Sequence, residues 1–144
     1  MKKPVPHEIV ANISAQGKAG REAWQRADIQ KAEDRFLDAW RLVPEPKTEY
    51  DYYAQSLSRG LVTFYRNTKQ FEKAKEWLTV MRHAYGPGPN IDVEFLAATV
   101  YYDAGMLDDA LAIFDAAYKK FRQRPFQGDD RKYLRFYRER ARKR

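Results

Sequence analysis

Apolar and small residues return at helical spacing along most of this chain, and polar or helix-breaking residues interrupt them at intervals. Ala32, Phe36 and Ala39 form one series, Ala74, Leu78 and Met81 a second, and Ala110, Phe114 and Ala117 a third. Steps of four and then three positions place each series on one helical face. The first gives way to Pro44, the second to Gly86, and the third to the polar stretch from Arg122. Each follows another helix-like segment across a short polar break, which is the pattern of stacked helical hairpins.

Seven helices are expected. The first covers 7–26, with Gly17 and Gly20 weakening its middle. The second covers 29–42, turns Ala32, Phe36, Ala39 and Trp40 toward the core, and stops at Pro44 and Pro46. A third, on Tyr50, Tyr53, Leu57, Leu61, Phe64 and Tyr65, runs from Thr48 or Glu49 to Asn67. After the turn Asn67-Thr68-Lys69, the fourth spans 71–84 and ends before Gly86-Pro87-Gly88-Pro89-Asn90, the strongest break in the chain. The fifth spans 92–103, Gly105 supplies a turn, and the sixth starts at Leu107. Asp129 or Asp130 caps the last, which carries Tyr133, Phe136 and Tyr137 on one face. Thr99-Val100-Tyr101-Tyr102 is β-prone by composition but lies inside a helical pattern. The expected fold is all-α: a right-handed solenoid of about three hairpins plus a C-terminal capping helix. It forms a single domain over 7–142, with a flexible N-terminus at 1–6 and a basic capping helix and tail at 129–144.

These units resemble the tetratricopeptide repeat family. Ala32, Ala74 and Ala110 match the small position of that family's second helix, and Gly20, Val62 and Ala98 that of its first. Its Leu position falls on Ala19, Leu61 and Ala97, and its Tyr position on Ala23, Tyr65 and Tyr101. The units are offset by 42 and 36 residues, against about 34 in the family. The family's early Trp is replaced by Gln16, Ser58 and Glu94, and its terminal Pro is matched only by Pro44. The resemblance spans residues 13 to 124 and is best in the third unit.

The resemblance implies that the first helices line a concave groove. On this chain that face comprises Arg21, Trp24 and Gln25, then Arg59, Thr63, Arg66 and Asn67, then Phe95, Thr99, Tyr102 and Asp103. Three arginines among aromatic rings suit a carboxylate-bearing peptide or an acidic protein surface. The competing reading makes Trp24, Phe95 and Tyr102 core or end-cap residues and the arginines a solvated face. The family's Lys and Asn clamp for C-terminal carboxylates is matched by Asn67 alone.

Charge changes the picture at one end only. Residues 131–144 hold Arg131, Lys132, Arg135, Arg138, Arg140, Arg142, Lys143 and Arg144 against Glu139, a balance equal to the whole chain's net charge of +7. The rest is neutral, which weakens any reading as a globally basic nucleic-acid binder. Tyr133 and Phe136 suit a cap over the last hairpin, leaving Arg131, Arg135, Arg138 and Arg142 toward water. Binding of nucleic acid through those four arginines is the alternative.

Cysteine is absent, which removes disulfides, thiol catalysis and Cys-based zinc sites. His7 and His83 stand in no metal-binding spacing, and Asp108-Asp109 and Asp129-Asp130 read as helix starts. Glu72 and Glu76 with Lys73 and Lys75 read as surface pairs. No nucleophile and base can be matched, so no catalytic residue, metal or cofactor is expected. No signal-peptide core or membrane-spanning run is evident, and a soluble cytoplasmic protein is expected. The expected function is non-enzymatic: the groove occupies or masks a partner protein. Adaptors, secretion chaperones and toxin-neutralising immunity proteins are solitary repeat proteins of this kind. The segment from Arg124 to Tyr137 also resembles the tail of small bacterial repeat proteins encoded near polymorphic toxins, which implies a toxin domain with an acidic surface as the partner.

Overall fold

Three chain reversals share one backbone geometry. The computed structural model describes residues 2–143; Met1 and Arg144, at the ends of the expected flexible N-terminus and basic tail, lie outside them. Its helices are α1 (His7–Gln25), α2 (Ile29–Leu42), α3 (Tyr53–Asn67), α4 (Phe71–Tyr85), α5 (Ile91–Asp103), α6 (Leu107–Phe121) and α7 (Arg131–Arg142). Short 3-10 turns occupy Lys47–Glu49 and Arg124–Phe126.

Between α1 and α2, Ala27 takes φ 61°. Its N–H donates to the Trp24 carbonyl, and the Asp28 N–H reaches back to the Ala23 carbonyl, each at 2.9 Å. Lys69 (φ 60°) and Gly105 (φ 84°) do the same after α3 and α5. There the Gln70 and Met106 N–H groups donate to the Tyr65 and Tyr101 carbonyls at 2.8 Å. A left-handed residue at this point satisfies carbonyls that a helix end leaves unpaired. Ala27, Lys69 and Gly105 have the same 42- and 36-residue offsets as Ala32, Ala74 and Ala110. The repeat is therefore present in the backbone as well as in the side chains.

The closest helix pairs are α1 with α2, α3 with α4, and α5 with α6, and hairpins meet through α2–α3 and α4–α5. This is a tandem array of three tight helical hairpins closed by a capping helix. Small residues let paired helices approach: Ala32, Ala74, Ala98 and Ala110 are wholly buried. Gly20 belongs with them. A Cβ there would come within 2.6 Å of the Phe36 ring, so the glycine expected to weaken α1 makes room for α2.

The central core joins Leu61, Val62, Phe64 and Tyr65 of α3 to Leu78 and Met81 of α4, with Ala32 and Val100 on either side. A second cluster places Phe95, Phe114 and Phe126 under Tyr133, Phe136 and Tyr137 of α7. The last helix is therefore a cap, started by the Asp130 carboxylate accepting from the Lys132 N–H at 2.9 Å.

The start of the third helix and the charge pairs of α4 depart from expectation. The third helix starts at Tyr53, not at Thr48 or Glu49. The Lys3 N–H donates to the Glu49 carbonyl at 2.7 Å and the Asp51 N–H to the Lys3 carbonyl at 2.9 Å, a β-bridge between Lys3 and Tyr50 that keeps Tyr50 extended. Of the segment expected to be flexible, Lys3 makes this bridge and Val5 packs with Ile13, Ala39 and Val43. Lys73 also leaves its expected neighbours on α4, since Lys75 pairs with Glu72 while Lys73 crosses to Glu33 on α2.

Glu33 is only 7% exposed. Its carboxylate accepts from the Tyr65 hydroxyl at 2.7 Å and the Lys73 ammonium at 2.9 Å, tying the first hairpin to the second. Burial pushes the carboxyl upward, but these donors prevail and hold it below its ordinary value. Burial and Glu33 together push the Tyr65 hydroxyl up. Between the second and third hairpins, Arg82 meets Glu94 through two hydrogen bonds of 3.1 and 3.3 Å.

Two outcomes follow. In urea unfolding, Lys69→Gly raises stability by about 0.5–1 kcal/mol, because glycine relieves the left-handed strain, while Gly105→Ala lowers it by about 1 kcal/mol. Glu33→Gln costs about 1–2 kcal/mol at pH 7. The Glu33 contribution is complete above the ordinary glutamate pKa and is lost as pH falls through the lower folded value. Wild type and variant should therefore converge in acid, and a difference independent of pH would contradict this linkage.

Candidate functional site

The first helices of the hairpins bring most of the expected groove residues together, in two recesses that share a border. The first lies between α1 and α3 and encloses about 500 Å³. Trp24, Phe36, Leu57 and Leu61 give it an apolar lining, and Arg21, Arg59 and Thr63 also border it. Trp24 is fixed edge-on against Phe64, with ring centroids 5.1 Å apart. The Arg21 guanidinium lies over Gly17, where an added Cβ would stand 3.3 Å from it. Arg21 and Arg59 are both exposed, and among the described residues neither side chain makes a hydrogen bond or ion pair.

The second recess, of about 490 Å³, lies between α3, α5 and the connection into α7. Arg59 and Thr63 form its border with the first, and Arg66, Phe95, Arg124 and Asp129 complete much of its wall. Here charge is already matched within the protein. Arg66 donates to the Thr99 hydroxyl at 2.7 Å and to Asn67 Oδ1 at 3.0 Å, and lies 3.8 Å from Asp103. Burial raises the Asp129 carboxyl above its ordinary value against the pull of Arg66 and Arg59.

The remaining expected residues separate by burial. Thr99 is wholly buried, and its hydroxyl donates to the Leu96 carbonyl at 2.7 Å while accepting from Arg66. Phe95 is a core residue that also reaches the recess wall, with its ring 5.3 and 4.9 Å from those of Phe114 and Phe126. Tyr102 is covered by α7, its ring meeting Tyr133 and Phe136 at 5.4 and 4.8 Å. Asp103 accepts from the Tyr133 hydroxyl at 3.1 Å and pairs with Lys132 at 3.1 Å. Burial first, and Asp103 second, push the Tyr133 hydroxyl up against the pull of Arg66. Gln25 and Asn67 are exposed at helix ends.

Sequence reasoning missed Phe36 and Leu57 in the first recess. Phe36 reads as an α2 core residue, and Leu57 was assigned to the buried face of α3. It also missed Arg124 and Asp129, which come from a connection outside the repeat pattern. The positions of the family's early Trp are used differently. Ser58 is buried and donates to the Ala54 carbonyl at 2.6 Å, Glu94 holds Arg82, and Gln16 accepts from Arg35 at 3.2 Å.

On α7, Arg131, Arg135, Arg138 and Arg142 are all exposed, and with Leu134 and Glu139 they line a shallow surface recess. Among the described residues, no group of three or more His, Cys, Asp or Glu side chains is placed to hold a metal ion, and no helix is long and apolar enough to cross a membrane. No family model, no curated protein and no solved structure matches this chain, so its likeness to tetratricopeptide repeats stands at the level of tandem hairpins and a capping helix.

Proposed function

We propose that this chain is a tetratricopeptide-like binding protein whose concave face occupies or masks a segment of another protein. The observation that carries this reading is the α1–α3 recess, where two guanidiniums that make no hydrogen bond or ion pair among the described residues flank an apolar lining. Half-buried Arg66, by contrast, is matched to acceptors within the fold. Arg21 and Arg59 have no such role in the fold, and each has donor capacity for an incoming carboxylate. An acidic segment carrying one large apolar side chain satisfies both chemistries: the side chain covers Trp24, Phe36 and Leu57 while the carboxylate meets the guanidiniums. Its action would be steric, through blockade of the partner's surface, and a toxin held by an immunity protein is one such case.

A photo-crosslinking residue replacing Thr63 should capture one discrete partner in the native cell, and the same residue at exposed Glu76 on α4 should not. Against the purified partner, Arg59→Glu combined with Arg21→Glu should weaken binding by at least about tenfold, the scale of an interface anchor, without loss of helicity. Equal capture at both positions, or unchanged affinity in the double variant, would overturn the assignment. Arg66 is unsuitable for this test because its loss removes the donor to buried Thr99 and a cation beside Asp103, so it would disturb the fold as well as the face.

A further inference from the structure

We infer that the outer face of α7 binds the phosphate backbone of nucleic acid, independently of base sequence. Arg131, Arg135, Arg138 and Arg142 succeed one another at steps of four, three and four residues, which aligns them on one face. At 1.5 Å per residue the stripe is about 16 Å long. Its orientation is fixed from behind, because Tyr133, Phe136 and Tyr137 bury the opposite face against the aromatic cluster of the last hairpin. The hydrogen bond from Arg138 to Gln123, at 2.9 Å, ties the stripe to the connection that carries Arg122 and Arg124.

Arg142 in the last turn suits the negative end of the helix dipole, but helix stability does not account for the rest of this arrangement. Each consecutive pair in the stripe is a like-charge neighbour at i,i+3 or i,i+4, which opposes helix formation. Arg131 and Lys132 stand in the first turn, at the positive end of the helix dipole. Glu139 is the one acid in 131–144, and among the described residues none of the four arginines lies within ion-pair distance of a carboxylate. A row of phosphates removes that repulsion and accepts from every guanidinium.

The same geometry disfavours an anionic membrane. An interfacial helix needs a free apolar face to insert, whereas that of α7 is spent on the core and half-buried Leu134 is the apolar residue left at the stripe. The stripe also has no exposed aromatic ring to stack on a base, so the contact would read charge and not sequence.

The test is fluorescence anisotropy with two labelled 20-base-pair duplexes of unrelated sequence, titrated between 50 and 200 mM salt. Equal affinity for both is expected, with a log–log salt slope of about −3 to −4 for four phosphate contacts. R131Q/R135Q/R138Q/R142Q should weaken binding at least about tenfold at 100 mM salt and flatten the slope. K18Q/R26Q/K31Q/R41Q removes the same charge from exposed positions of the first hairpin and should change affinity no more than about twofold. Circular dichroism and thermal unfolding verify both variants; the half-stripe variants R131Q/R135Q and R138Q/R142Q replace the quadruple if it misfolds. Absence of duplex binding by wild type at 50 mM salt overturns the inference, as does equal loss in both variants. Binding to phosphatidylglycerol vesicles without binding to either duplex overturns it too.

Discussion

Each hairpin of this chain has apolar surface that only its neighbour can cover, and that requirement governs the rest of the structure. Within a hairpin the two helices approach closely because Gly20, Ala32, Ala74, Ala98 and Ala110 present little or no side chain at the contact. What lies outside the hairpin contact, such as Tyr65, Val93 and Val100, belongs to a core that neighbouring hairpins share. Apolar contact brings hairpins together without fixing their register. The bonds of Glu33 to Tyr65 and Lys73, and of Arg82 to Glu94, fix it at the two joints. Over the third hairpin, α7 supplies the covering surface with three aromatic side chains.

The same requirement sorts the arginines. Arg66 stands beside Asp103, which also receives Tyr133 and Lys132, so one carboxylate links α3, α5 and the cap. Arg21 and Arg59 project from the same set of first helices but stand clear of these joints. One sequence pattern thus yields cations that hold the solenoid and cations left to solvent. Only the second kind is available to a partner. The arginines of α7 carry this division furthest, since the aromatic residues between them, with Leu134, do the packing.

The helical framework was legible in the sequence because periodic apolar residues and strong breakers record local geometry. Ile29–Leu42 is bounded by Asp28, whose carboxylate caps the helix, and by Pro44, whose ring ends it. What escaped notice was set by long-range contact. Lys3 bonding to residues 49–51 delays the third helix to Tyr53, although the apolar spacing continues back to Tyr50. The turn at Asn67-Thr68-Lys69 was expected, but its left-handed residue, like that at Ala27, is no glycine and has no mark in the sequence. At the site, the resemblance to tetratricopeptide repeats pointed to Arg21, Trp24, Arg59 and Thr63, which border the first recess. It could not foresee that α7 would cover Tyr102, or that Thr99 would be sealed behind Arg66, because burial by a later element leaves no local signature.

Native-state amide hydrogen exchange addresses the stacking itself. If hairpins are stable only through their neighbours, the doubly flanked central unit must be the last to open. Amides of Leu61–Tyr65 and Leu78–Met81 should then exchange only through global unfolding, while those of α1 and α7 exchange through smaller openings. Faster exchange in the central hairpin than at either end would mean that the units hold themselves together, and the account of a mutually buried solenoid would fail.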